Sequence, residues 1–327
     1  MSTVKFVELD ISASGFGCVN TNGNINPKTG VEGSDDGYKN KIFPKSRGGQ
    51  LYISNNSIRG YYFANEARGV MLAGKAGFNN NKGKLGELVI GEAEFPKVSQ
   101  MFASSYLGLM RGYMLTQKGG ESIKRKSPLM VTDWVNENEL EPNKNEVMVN
   151  HLALTDDGKK DKNSLFYAET WGDTNYKSRS IISIENLQFI SLDSRLGQKE
   201  VDFGINPKKK DVTEDINAFI ETLIDNIKAI AIKRNMTTEG ISATYGKFTK
   251  NDVLFQYIEE GILLSNQAIH TLVTETIDRF KEFQIVKSSG FVKVDNVKTS
   301  YSYGLNKVLD ELGDATPDYE VFYTLES

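Results

Sequence analysis

Residues 52–63, YISNNSIRGYYF, put two amide side chains, a hydroxyl, a guanidinium and a glycine at one strand-to-helix junction. Gln50 to Ile53 alternates as a strand does, and the aromatic residues after Gly60 follow at helical spacing. Ser57 reads as the N-cap, which aims the free amides of the first helical turn outward. A helix start of this kind, with its partial positive charge, attracts anions. Arg59, at the second helical position, can add a forked hydrogen bond to a phosphate. Gly60 lets a bulky partner approach the backbone, and Asn55 and Asn56 tolerate left-handed turns while offering amide donors. The combination suits a sugar-phosphate backbone. Arg68 lies nine residues beyond Arg59, on the opposite side of a helix, so Arg59 is the anion-facing arginine. Tyr61, Tyr62 and Phe63 could stack on bases, but a helix that must pack on a sheet places them in the core.

Other chemistries find little to work with. Cys18 is the only cysteine, and His151 and His270 are the only histidines. No disulfide framework or cysteine-based zinc site can form within the chain, and neither histidine has another metal ligand at helical or hairpin spacing. His270, in QAIHTLV, reads as a helix residue beside the core. No metal and no cofactor is expected.

Charge is distributed unevenly along the chain. Residues 38–126 hold 15 Lys or Arg against five acidic residues, all Glu, an excess of ten positive charges. With a net charge of −4 for the whole chain, the remainder carries −14. Such asymmetry fits a polyanion-binding half, a solvated basic face, or acidic and basic faces that meet in head-to-tail self-association. The start, MSTVKFVELD, has no signal-peptide apolar region, and no apolar run reaches the length of a membrane span. A cytoplasmic protein without membrane contact is the expectation.

The elements that would position these residues mix strands and helices without a regular βαβ beat, which predicts an α+β architecture. VKFVELDIS, residues 4–12, alternates as a first strand, and the Gly- and Asn-rich residues 14–49 read as a long loop. A strand at 50–54 leads into a helix over about 58–73, and a short strand follows at 85–91. Ser99 reads as the cap of a helix to about 115, with Phe102, Tyr106, Leu109 and Tyr113 on one stripe. A strand is predicted at 127–135, one or two strands over 179–193, and a hairpin at 146–155 and 163–171 around DDGKKDK. Thr213 opens an amphipathic helix whose stripe runs Ile216, Phe219, Ile220, Leu223, Ile224, Ile227 and Ile230. Helices over about 251–264 and 266–283 and strands near 290–299 and 319–325 complete the reading.

On these residues the chain resembles the CRISPR backbone subunits of the RAMP superfamily, which polymerise along a guide RNA. Ser57, Ile58, Arg59 and Gly60 match the family's Ser-Leu/Ile-Lys/Arg-Gly segment after an early strand. In RKSPLMVTDW, Ser127, Leu129, Val131 and Asp133 match its Ser-x-Leu-x-Val-x-Asp-Ala strand, with Trp134 in place of Ala. The hairpin after Asp133 falls where the family carries its thumb. The family's Gly-rich loop has a counterpart in EGISATYGKF, which keeps Gly240, Ser242, Tyr245 and Gly246 and lacks the arginine. The helices after 251 look like an addition to the core, closer to the type I-F variant or type IV members than to the type III ones.

The resemblance implies a modified RRM-like (ferredoxin-like) palm over residues 1–250. Its insertions would lie at 14–49 and 74–98, its β-hairpin thumb at about 135–178, and a C-terminal helical extension with closing strands at 251–327. It implies a non-catalytic subunit that polymerises head-to-tail along crRNA and presents it for pairing with a target, expected to be DNA rather than RNA. Its partners would be crRNA, copies of itself and other CRISPR effector subunits. RNA contacts would come from Lys45, Arg47, Asn55, Asn56, Ser57, Arg59, Gly60, Arg111, Lys124, Arg125, Lys126 and Ser127. Met148 and Val149 are the thumb residues available to wedge beside a flipped nucleotide. Two alternatives stay open. One is an RNA-cleaving type III-like relative using Asp35 or Asp36, and the other is a structural protein that self-assembles without nucleic acid.

Overall fold

The computed structural model describes residues 3–17, 46–47, 50–67, 88–90, 95–117, 122–137, 146–150, 166–170, 173–195, 199–204, 212–251, 254, 256–287, 290–302, 308–309 and 316–326. The first strand, β1 (Phe6–Gly17), alternates strictly: Val7, Leu9, Ile11 and Ala13 are buried, and the even positions face outward. Alternation of this kind makes a sheet with one packed and one open face. The strand therefore runs five residues beyond the sequence estimate, into the stretch read as loop. The hairpin β2 (Ser46–Arg47) and β3 (Gln50–Ile53) follows, then α1 (Asn55–Tyr62). This helix starts three residues earlier than the sequence suggested and gives way to a turn at Phe63. Arg68 lies outside the described residues.

Next come β4 (Leu88–Ile90), α2 (Phe95–Ser104), α3 (Tyr106–Arg111), β5 (Tyr113–Gln117) and β6 (Ser122–Arg125). The single helix read over 99–115 is thus two helices broken at Ser105, whose side chain caps α3 by accepting the Gly108 N–H at 3.0 Å. Ser99 is not a cap; it is buried inside α2, where its hydroxyl bonds the Pro96 carbonyl at 2.8 Å. The strand read at 127–135 bends at Thr132–Asp133 into β7 (Leu129–Val131) and β8 (Trp134–Asn136). The hairpin read after it is present as β9 (Glu146–Asn150) and β10 (Phe166–Thr170), paired antiparallel.

β11 (Asp173–Ser183) leads through the short α4 (Ile184–Gln188) to β12 (Phe189–Ser191), and α5 (Thr213–Lys233) follows. Ile216, Phe219, Leu223 and Ile227 of α5 are buried, as their spacing predicted. After β13 (Ala243–Lys250) the sequence reading is corrected: residues 258–264 form β14 (Ile258–Leu264), not a helix. The remaining elements are α6 (Asn266–Lys281), β15 (Gln284–Lys287), β16 (Gly290–Ser302), β17 (Val308–Leu309) and β18 (Tyr323–Leu325).

The architecture is α+β. A curled nine-stranded sheet runs β15-β16-β1-β11-β8-β3-β2, with β7 also on β11 and β17 on β16. Its pairings are antiparallel. Smaller sheets order as β12-β14-β13-β18 and β4-β5-β6, the latter with a parallel β4–β5 pair. β1, the second of these strands to pair on both sides, thus has a partner from the C-terminal quarter, β16. α6 covers the packed face of β1 and β16. Fully buried Glu275 of α6 bridges Arg234 and Arg279, and Arg279 reaches on to Glu66 just after α1. Tyr62 and Tyr106 bond each other at 2.9 Å and both meet Thr276 of α6. α1 is therefore fixed to the C-terminal helix by a buried polar network. Trp134, where the family pattern has Ala, is fully buried with its ring 5.6 Å from Phe283. His270 lies beside Tyr319, its hydroxyl 3.3 Å from Nδ1, and burial lowers the imidazole pKa.

Candidate nucleic-acid interface

The cap of α1 is Ser54, not Ser57. Its Oγ accepts the Ser57 N–H at 3.4 Å, and Asp133 Oδ1 accepts the Asn55 N–H at 2.8 Å. Side chains of the protein thus already bond two amides of the first turn. The helix start therefore has fewer free amides than the sequence reading assumed, and Arg59 is the cation beside it. Asn56 and Gly60 are exposed, and a Cβ built on Gly60 meets nothing within 4 Å among the described residues. That surface of α1 is open to a partner.

Arg59 reaches across to two other elements. Its Nη2 donates to the Arg111 carbonyl at 2.8 Å and to Ser127 Oγ at 3.2 Å, while the Ser127 hydroxyl donates to the Leu129 carbonyl at 2.7 Å. Gly112, between α3 and β5, makes possible the close approach to the end of β6 and the link that follows it. It sits at φ +69°, and a Cβ there would lie 2.5 Å from the Arg125 carbonyl oxygen and 2.8 Å from Ser127 N. Close backbone approach brings Arg111 of α3, Ser127 of the link between β6 and β7, and Arg59 of α1 together. Burial, and then the charge of Arg111, lower the Arg59 pKa; burial lowers that of Arg111. Among the described residues no ion pair neutralises either guanidinium, no partner holds that of Arg111, and Arg59 Nε is buried without a hydrogen bond. Two half-buried like charges repel each other and lack full solvation. An anion placed between them would relieve both costs.

An open groove on the outer sheet face begins where α1 begins, because Asp133 both caps the helix and lines the groove. Asp10, Ser12, Thr132, Lys177, Ser178 and Arg179 are among its other walls. Arg179 Nε bonds Asp10 at 3.0 Å, Lys177 pairs with Glu137, and the Thr132 and Ser178 hydroxyls lie 3.1 Å apart. Sequence reasoning missed this group. The signal was present in KSRS on β11, where strand alternation sends Lys177 and Arg179 to the same side.

The remaining candidates divide. In β6 the burial alternates, so Lys124 is exposed and Arg125 is buried, and Lys126 beyond it is exposed. Arg125 was expected at the RNA surface; instead it pairs with Glu200 and donates to the carbonyls of Phe189, Asn186 and Leu187 at 2.9–3.2 Å. It holds the end of α4, and burial pushes the Glu200 carboxyl up to about 7. Arg47 lies in β2, Met148 pairs with Ala168, and Val149 pairs with Tyr167 in the hairpin. Lys45, Asp35, Asp36, His151 and Cys18 lie outside the described residues. In the Gly-rich counterpart, Gly240 takes φ +76°, the Ser242 N–H donates to Ser265 Oγ at 3.0 Å, and Tyr245 bonds Glu260. Among the described residues no cluster of three metal-ligating side chains occurs, and no helix is long and apolar enough to cross a membrane.

With this geometry in place, comparison with known proteins gives two results. No curated protein matches the chain. A family model described as type I-Fv CRISPR-associated protein Cas7fv-like matches residues 48–310, a span that includes α1, the Arg59–Arg111 junction, the hairpin and β16.

Proposed function

The chain belongs to the Cas7fv-like family of type I-Fv CRISPR-associated proteins, and from that premise we propose that it is the non-catalytic subunit that polymerises head-to-tail along crRNA. In this reading the sheet around β1 is the RRM-like palm, and the β9–β10 hairpin is the thumb that offers Met148 or Val149 beside a flipped nucleotide. The guide's phosphates run along the open side of α1, past Asn56, Gly60, Arg59, Arg111 and Lys126. Base pairing with the target strand, DNA in this reading, supplies sequence specificity, so the protein needs only backbone contacts. Other CRISPR effector subunits would cap the assembly.

The observation that carries the proposal is the Arg59–Arg111 pair, two half-buried cations beside an open helix face with no counter-ion among the described residues. Binding to unrelated single-stranded RNAs, titrated at several salt concentrations, tests it. Neutralised phosphates release counterions, so affinity should fall linearly on a log–log plot, with similar slopes for different sequences. A flat response to salt would refute it.

A further inference from the structure

α1 and α3, which carry Arg59 and Arg111, meet at two places. At one, Arg59 donates to the Arg111 carbonyl. At the other, the Tyr62 and Tyr106 hydroxyls bond each other, and the Tyr62 ring lies 4.6 Å from that of Phe280 on α6. Arg279 of α6 grips this second contact. Its guanidinium lies 4.1 Å from the centre of the Tyr106 ring, and its Nη1 pairs with Glu66 beyond the end of α1. Charge balance alone does not call for that pair. Arg234 and Arg279 are already matched by Glu275 and Glu282, with Lys233 on the exposed side. The reach to Glu66, 213 positions away in the sequence, is a link between elements. Buried ion networks contribute little net stability, because desolvation offsets the attraction, and their best-attested use is to fix one arrangement of the elements they join.

We propose that Arg279 and Glu66 are positioning residues for RNA binding: together they hold α1 against α3 so that Arg59 and Arg111 stay side by side. This deepens the RNA-binding reading above and rests on it. Tyr106 opens α3 and Arg111 closes it, about 7.5 Å further along the helix axis. A short helix moves as one piece, so a shift of Tyr106 is carried to Arg111. The Arg59–Arg111 bond, at 2.8 Å, tolerates little of it, since N–H donors beyond about 3.2 Å leave their preferred range. The C-terminal helix, which reads in the sequence as an addition to the core, thereby takes part in RNA binding at a distance.

Glu66→Gln separates positioning from charge by the direction of its effect. Removing a negative charge from a polyanion-binding protein should by itself strengthen binding, whereas losing the link should weaken it. With the full-length protein titrated against a short single-stranded RNA, Glu66→Gln should bind roughly threefold more weakly or worse. Its melting temperature should stay close to that of the wild type, because Glu275 still holds Arg279. Arg279→Lys keeps the charge but cannot span Glu275 and Glu66 together, and should lose a similar amount. Glu66→Asp, which keeps the carboxylate, should recover part of the loss. In an Arg111→Ala background Glu66→Gln should cost much less, because residues that act through one another are not additive. That background also decides the case if Glu66→Gln melts early and binds weakly. Stronger or unchanged binding by folded Glu66→Gln would overturn the proposal while leaving the salt-dependent reading intact. An equal loss in both backgrounds would overturn it too, by making the network purely structural. Wild-type protein that binds no RNA would overturn both proposals.

Discussion

Arg59 and Arg111 share a junction but differ in what each holds. Arg59 ties α1 to the end of α3 and to Ser127, whereas no partner among the described residues engages the Arg111 guanidinium. Removing the two should therefore have separable effects. Arg111→Ala should leave thermal unfolding nearly unchanged while weakening RNA binding by about 1.5–3 kcal/mol, the worth of a charge-assisted contact, and lowering the salt slope by about one charge. Arg59→Ala should weaken binding and also destabilise the fold, by about 1 kcal/mol for the lost hydrogen bonds. Both bonds come from Arg59 Nη2 alone, so Arg59→Lys, which keeps the charge and several N–H donors on one nitrogen, should recover part of both losses. Parallel binding titrations and melting curves would check all three, and an Arg111→Ala protein that melts early but binds normally would reverse the assignment.

That junction exists because elements approach at Gly112, and the approach is itself testable. Any side chain there faces a left-handed φ and a Cβ 2.5 Å from the Arg125 carbonyl. Gly112→Ala should cost roughly 1–3 kcal/mol of stability and weaken RNA binding as Arg111 is displaced. Chemical denaturation together with the binding assay would reveal both; a stable variant with normal affinity would show the junction to be pliable. The sequence announced the strand, the helix and the arginine, since each follows from local spacing. It did not announce what depends on distant partners. Ser57 looked like the cap although Ser54, three residues before it, fills that place; only the other acceptor, Asp133, is distant, 78 positions away from Asn55. Lys124 to Lys126 looked like a uniform basic run, yet a strand sends its middle residue inward. YIEEGILL could satisfy a helix pattern as well as a strand. Its Gly261, where a Cβ would fall 2.2 Å from Phe189 Cζ, has a reason only once β12 lies alongside.

At the scale of the molecule, the uneven charge noted in the sequence would suit the head-to-tail polymer proposed above. The segment from 38 to 126 carries ten excess positive charges and the remainder fourteen excess negative ones. Exposed Lys124 and Lys126 represent the first, and Glu221 and Asp225 on the exposed face of α5 the second. Two copies meeting through unlike surfaces leave one of each surface free, so the contact repeats without closing unless its rotation forms a ring. Bound RNA would screen the repulsion among the basic segments, and its length would set the number of copies. Light scattering on the full-length protein should show mass rising stepwise with RNA length, and falling again as salt weakens both the RNA contacts and the contacts between copies. Glu221→Lys combined with Asp225→Lys should shorten the assemblies on long RNA while leaving binding of one copy to a short RNA unchanged, because these side chains sit on α5 and not at the arginine junction. A closed ring of fixed mass, or one copy per RNA at every length, would mean that the charge asymmetry serves RNA binding alone.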